Sequence, residues 1–208
     1  MGLDQLLPRV ALFIPVILAL TVHEWAHARV ALELGDDTAL QHGRLTLNPL
    51  AHLDPIGTVL LPLLGIPFGW AKPVPIDPTR FRPEVTMQKG LLLAAAAGPL
   101  SNLVLAMISA MGLKLAAAGG GPHPAAEFLL SRSVAINLAL ALFNLLPIPP
   151  LDGSRIADGL IPFAWRGAWN RISAAGAFIL VALFLVPQLF GVGVGGWLTT
   201  LSTRLIGP

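Results

Sequence analysis

The sequence predicts an all-α membrane protein: a bundle of about 4–6 transmembrane helices, with a small membrane-associated β-hairpin and a re-entrant segment after the first span. Three observations carry this expectation. Hydrophobic residues make up 55% of the 208 residues and charged residues 12%, about half the charged share of a soluble domain. Mean hydropathy is +0.75. Apolar runs long enough to cross a hydrocarbon core of about 30 Å recur along the chain.

The elements follow in order. Residues 6–34 form the first span, uniformly apolar in its first half, with polar residues gathered in the second, and Gly35, Asp36 and Asp37 supply its stop. Residues 39–54 hold too many Pro, Asn and Gly signals for a helix, and RLTL (44–47) alternates as a short strand does. The run at 55–69 is apolar but broken by Pro55, Pro62 and Pro67, which fits a re-entrant, protein-covered segment. A Pro-rich loop with Lys72, Arg80 and Arg82 leads to a second span at 90–118, whose AAAAGP suits close helix packing. The loop GGGPHP precedes a third span at 131–146, which ends in LPIPPLDG. A polar segment at 154–171 and a last span at 172–186 precede the tail, a candidate interfacial helix or half-span. The chain reads as one membrane-embedded domain, 1–208, with a core at 6–155 and a C-terminal span and tail at 172–208. No cleavable signal peptide is expected, because the first apolar run carries a His-Glu pair and no small-residue cleavage pattern follows it.

Charge orients the spans. The pI is about 9.7, yet the formal net charge is only +2 and there is no long basic block. This pattern speaks for membrane topology and against a nucleic-acid partner. The loops at 72–89 and 154–171 hold most of the Lys and Arg, while 119–130 and 187–203 hold none. With the basic loops in the cytosol, span one runs inward, span two outward, span three inward and span four outward. The expected location is the cell inner (cytoplasmic) membrane, multi-pass, with the active site toward the cytosolic side. The chain has no cysteine, so disulfides and thiolate zinc sites are excluded and any metal must be held by His, Asp, Glu or water.

His23-Glu24-Trp25-Ala26-His27 is an HExxH motif on the first predicted helix. Residues at i and i+4 share a helical face, so both imidazoles can address one ion. Neutral imidazole suits zinc, and Glu24 is offset enough to stand outside the ligand shell yet take a proton from water at the metal. Three ionisable groups inside a span cost several kcal/mol unless they serve a shared purpose. A third protein ligand is required, and Asp152 is the best candidate. Pro147, Pro149 and Pro150 exclude a regular helix before it, so the third span unwinds at the depth of the two histidines, where irregular backbone is tolerated only lining a site or covered by protein. A plain Asp-Gly turn is the alternative.

HEWAH early, and NLLPIPPLDG well after it in an otherwise hydrophobic chain, resembles the site-2 protease family of intramembrane zinc metalloproteases. The phrases GRLTLNPLAHLDPIGT, FGWAKPVP and GPLSN resemble compact bacterial members without PDZ or CBS domains, and the likeness covers residues 20–155. By motif position, the resemblance implies His23, His27 and Asp152 as ligands of one Zn2+ per chain, Glu24 as catalytic base and Asn144 as an aid at the substrate carbonyl. It further implies that Gly98 and Asn102 help shape the site, where the residues alone read equally as a small packing face with a hydrogen-bonded Asn. His42 and His52 are accessory candidates, His52 the better for its place in NPLAHLDPIG. The implied partners are a single-span membrane protein substrate and the lipid bilayer; oligomeric state is not legible. The activity implied is peptide-bond hydrolysis within or next to transmembrane segments, in regulated intramembrane proteolysis, with RLTL offering an edge to an unwound substrate. Two other classes compete. A zinc transporter would need polar residues lining several spans, whereas here they cluster at one depth. A non-cutting pseudoenzyme would have no need of Glu24.

Overall fold

The computed structural model describes residues 3–60 and 71–189. Seven α-helices run through them: α1 (Leu3–Glu33), α2 (Thr38–Gln41), α3 (Met87–Ala118), α4 (Pro124–Asn144), α5 (Asp152–Leu160), α6 (Arg166–Ala174) and α7 (Gly176–Leu189). Within this set, Val10–Glu33, Met87–Ala118 and Pro124–Asn144 are long and apolar enough to cross a membrane. At a rise of about 1.5 Å per residue they cover roughly 36, 48 and 32 Å, each beyond a hydrocarbon core of about 30 Å.

Helix α3 lies at the centre, packed against α1, α4 and α5, and α1 also meets α4. Small residues make this approach feasible. Ala94, Ala95, Ala97, Gly98 and Ala106 of α3 are buried, as are Ala19, Ala26, Ala28 and Ala31 of α1. Lipid tails are as apolar as leucine, so close van der Waals contact and interhelical hydrogen bonds drive the association. The opposite face of α3 exposes Leu100, Val104, Met107, Ile108, Met111 and Leu115. Their spacing of three and four residues draws one stripe along the helix, a surface suited to lipid and a liability in water.

Polar contacts fix the direction of the helices. His27 meets Ala94 while Asn102 meets Ala19, so α1 and α3 are antiparallel. Asn102 meets Asn137 and Ser109 meets Ser133, so α3 and α4 are antiparallel too. The C-terminal ends of α1 and α4 therefore lie on one side, as the predicted topology requires.

The stop after α1 is a built junction. Gly35 has φ +113°, a backbone region L side chains rarely adopt, and Asp36 N–H returns to Ala31 O at 2.9 Å. The fully buried Asp36 carboxylate accepts from Thr38 N–H at 2.9 Å and Asp77 N–H at 2.7 Å. Next to it, Gln41 and Arg80 both donate to Asp37 and hold that carboxyl below the usual carboxylate range.

Three expectations are corrected. Residues 44–47, expected as a strand of a β-hairpin, form bends at 45–47, and no strand occurs among the described residues. Several polar groups there bond within the loop instead of across a ladder. Arg44 N–H donates to Ala39 O at 2.7 Å, the Arg44 guanidinium to Ala51 O, and His52 Nε2 to Thr46 O at 2.8 Å. The third span begins at Pro124 rather than 131, because His123 Nδ1 accepts from Ala125 N–H and Pro124 fits the first helical turn. The last span, expected as one helix over 172–186, breaks at Ala175 into α6 and α7, where Gly176 presses on Pro149. Helix α7 runs from Gly176 to the last described residue, Leu189. Of the expected 4–6 spans, three are found among the described residues. Of the re-entrant segment, Pro55–Leu60 is a single π-type turn; residues 61–70 and the tail from 190 onward lie outside the described residues.

The packing at Gly90 predicts a matched pair of effects. A Cβ there would enter the Phe81 ring, so Gly90→Val should destabilise the detergent-solubilised protein by about 1–3 kcal/mol. Gly167 on α6 has open space around it, and Gly167→Ala should be neutral or stabilise by up to about 1 kcal/mol. Thermal unfolding followed by circular dichroism checks both.

Candidate metal centre

The i, i+4 spacing on α1 turns both HExxH imidazoles toward α3 and the end of α4. Three donor atoms meet there. His23 Nε2 lies 3.0 Å from His27 Nε2, and Asp152 Oδ2 lies 3.1 Å from the first and 3.3 Å from the second. A tetrahedral zinc site with bonds of about 2.0–2.1 Å has donor–donor edges of roughly 3.3–3.4 Å. The triangle approximates one face of such a shell, leaving the fourth vertex for water or substrate. The three residues can hold a metal ion.

Proton placement makes the case for a cation. His23 Nδ1 faces Asn102 Oδ1 at 2.6 Å and His27 Nδ1 faces Ala94 O at 2.7 Å. Both partners are acceptors, so each neutral ring carries its proton on Nδ1 and a lone pair on Nε2. Two lone pairs and a carboxylate oxygen then confront one another across about 3 Å, in a buried place where repulsion is poorly screened. A cation between them turns that repulsion into coordination. The outward Nδ1–H bonds are those that orient metal-binding histidines.

Two glycines admit this geometry. A Cβ on Gly98 would collide with the His27 ring and approach His23 Cε1 to 2.6 Å, so α3 must be bare where the imidazoles cross it. A Cβ on Gly153 would strike the backbone of Leu145 and Leu146. Glycine thus lets the chain fold back after the prolines, and Asp152 starts α5 facing the histidines. Ser154 Oγ caps the bend by donating to Leu151 O at 2.7 Å.

Glu24 is buried, and its Oε2 accepts from Val74 N–H at 2.9 Å. The stretch 71–77 is therefore laid across the site, with Lys72 N–H bonded to His52 O at 2.8 Å. Asn102, predicted to help shape the site, holds His23 directly. Asn144 turns back on its own helix, donating to Leu140 O at 3.0 Å. His52 is buried between loops, with Nδ1 unpartnered among the described residues, and bonds Thr46 O rather than a metal donor. His42 is exposed and bonds Thr38 O. Sequence reasoning missed Asn137 and Ser133, which continue the polar chain beyond Asn102. The signal was available: Ser133 and Asn137 stand at i, i+4 on an apolar span.

The family model described as Peptidase family M50 matches residues 122–187. YwhC, a candidate zinc metalloprotease of Bacillus subtilis, is 43% identical over 181 residues, 85% of this chain and 80% of that protein. Rip2, a candidate zinc metalloprotease of Mycobacterium tuberculosis, is 32% identical over 89% of this chain and 71% of its own length. Its counterpart in Mycolicibacterium smegmatis is 30% identical over 86% of this chain and 70% of its length. No solved structure matches the chain.

The crossing at Gly98 yields a test. Gly98→Ala should weaken zinc affinity about 10–100-fold, measured by competition with a chromophoric chelator. Gly112→Ala on the same helix, where a Cβ would meet Leu130 at an ordinary 3.5 Å, should leave affinity unchanged.

Proposed function

Because this chain belongs to peptidase family M50, the site-2 protease family, we propose that it is an intramembrane zinc metalloendopeptidase that cuts within or next to transmembrane segments of membrane proteins. The observation that carries this reading is the triangle of His23 Nε2, His27 Nε2 and Asp152 Oδ2, 3.0–3.3 Å on a side, with a buried carboxylate beside it.

In this reading His23, His27 and Asp152 hold one Zn2+ per chain, supported by the fit of their spacing to a tetrahedral face. When bound, zinc supplies Lewis-acid polarisation and shifts the acidity of water toward neutral pH. The chain's own residues do the rest. Glu24 is fixed through Oε2 by Val74 N–H, and its Oε1 takes the proton of the attacking water, then returns it to the leaving amine. Asn144 donates to the substrate carbonyl as negative charge develops, exchanging its bond to Leu140 O for that role. Burial of the site favours both acts, since charge interactions strengthen where water is excluded.

The bilayer sets the substrate class. Three apolar helices with lipid-type outer faces surround a site reached from within or beside the membrane, and a single-span protein is the simplest substrate to arrive there. Helical substrate must unwind before its peptide bond is accessible. The basic residues around Lys72–Lys89 and Arg155–Arg171 support a site toward the cytosolic face of the cell inner membrane under the positive-inside bias. Regulated intramembrane proteolysis of a signalling protein is the physiological role we propose for it.

The purified protein, assayed in detergent with a single-span substrate, should cut, and Glu24→Gln should lower the rate by at least about 100-fold while zinc content stays near one per chain. Equal cleavage by both proteins, or loss of zinc together with activity, would remove Glu24 from the role of base.

A further inference from the structure

We propose that Asn137 is a positioning residue for the metal centre: it locks the side-chain amide of Asn102, and through it the tautomer of His23. The inference rests on the zinc reading above and assigns a role to a residue two bonds removed from the donors. Asn137 and Asn102 are 1% and 0% exposed, in the middle of apolar helices where no solvent water competes for their hydrogen bonds.

The logic starts from a backbone carbonyl. Ser133 O can only accept, so the Asn137 atom 2.9 Å from it is Nδ2. Asn137 Oδ1 then points the other way, at Asn102, and the atom it meets at 2.8 Å must be a donor, Nδ2. The second N–H of that amide reaches Ala19 O at 3.3 Å. Asn102 Oδ1 is left facing His23 Nδ1 at 2.6 Å, which must carry the proton, and the lone pair falls on Nε2 among the metal donors. Flipping Asn102 would set its oxygen against Asn137 Oδ1 and Ala19 O at once. Of those two, Asn137 makes the shorter contact. The order thus runs from the carbonyl of Ser133 on α4, through α3, to the imidazole on α1.

Hydroxyls are not needed for the lock. Ser133 Oγ also lies 3.3 Å from Asn137 Nδ2 and accepts from Ser109 Oγ at 2.8 Å, but the carbonyl of residue 133 survives any substitution there. Ser133→Ala should therefore leave His23 unchanged. Asn137→Asp, held as the neutral acid by its apolar setting, donates its O–H to Ser133 O, keeps its other oxygen facing Asn102 and should also preserve the tautomer. Asn137→Leu, similar in size and without polar atoms, should not.

The experiment reads the ring itself. Metal-free protein labelled with 15N-histidine is examined in detergent by two-bond 15N–1H correlation, with His23 assigned through His23→Gln, and zinc affinity is measured in parallel. Wild type, Ser133→Ala and Asn137→Asp should show His23 protonated on Nδ1 alone. Asn137→Leu should show a mixture of tautomers and bind zinc about 10–100-fold more weakly. A wild-type pattern in Asn137→Leu overturns the proposal, and so does a mixture in Asn137→Asp, which decides the matter should the leucine variant not fold. Wild type that holds the Nδ1 tautomer yet binds no zinc would sink the metalloprotease reading and leave this one standing.

Discussion

Three electron-rich atoms that repel one another are held within about 3 Å in a part of the molecule where little water screens them, and the arrangement of the helices follows from that requirement. Two imidazoles and a carboxylate in such a place would be expelled, or would protonate, unless a cation joined them. The fold supplies the conditions for that cation. Both rings are turned by acceptors behind them, the carboxylate comes from an unwound chain end, and the crossing helix is stripped of a side chain where the rings need room.

The small residues of α1 and α3 serve this geometry as well as packing. Ala19, Ala94 and Gly98 lie where the helices cross, and two of them offer the site something other than smallness. Ala94 O accepts from His27 and Ala19 O from Asn102. Backbone carbonyls within a helix are ordinarily occupied by the next turn, but each has a second lone pair. A larger side chain at either residue would push the helices apart and stretch these bonds. Close packing and ligand orientation are in this sense one interaction seen from two sides.

The stretch 71–77 performs the corresponding task for Glu24. It is tied at Lys72 to His52, at Val74 to Glu24 and at Asp77 to Asp36. Pro73 and Pro75 alternate with the bonded residues and have no N–H to leave unsatisfied. The composition that marks a loop in the sequence therefore also gives an extended strap in which Lys72, Val74 and Asp77 each donate. Asp36, fully buried at the end of α1, anchors the far end of that strap, so the stop signal of the first helix and the cover of the site share one carboxylate.

The sequence by itself determined the membrane character, the three long helices and the identity of the converging donors. Helical periodicity places His23 and His27 on one face whatever surrounds them, and three prolines must unwind the chain before Asp152. These are local rules, legible one segment at a time. Tertiary structure alone decided what lies across the gaps. RLTL alternates like a strand, yet Arg44 bonds Ala51 O and His52 bonds Thr46 O within the loop, and alternation carries no information about such partners. The run at 172–186 is apolar enough to continue, yet it breaks where Gly176 meets Pro149, a contact between distant residues. Asn137 reads as one more polar residue in a span until Asn102 is found 2.8 Å away on another helix. Pattern along the chain fixes which face a side chain occupies; only the packed helices fix which atom it meets.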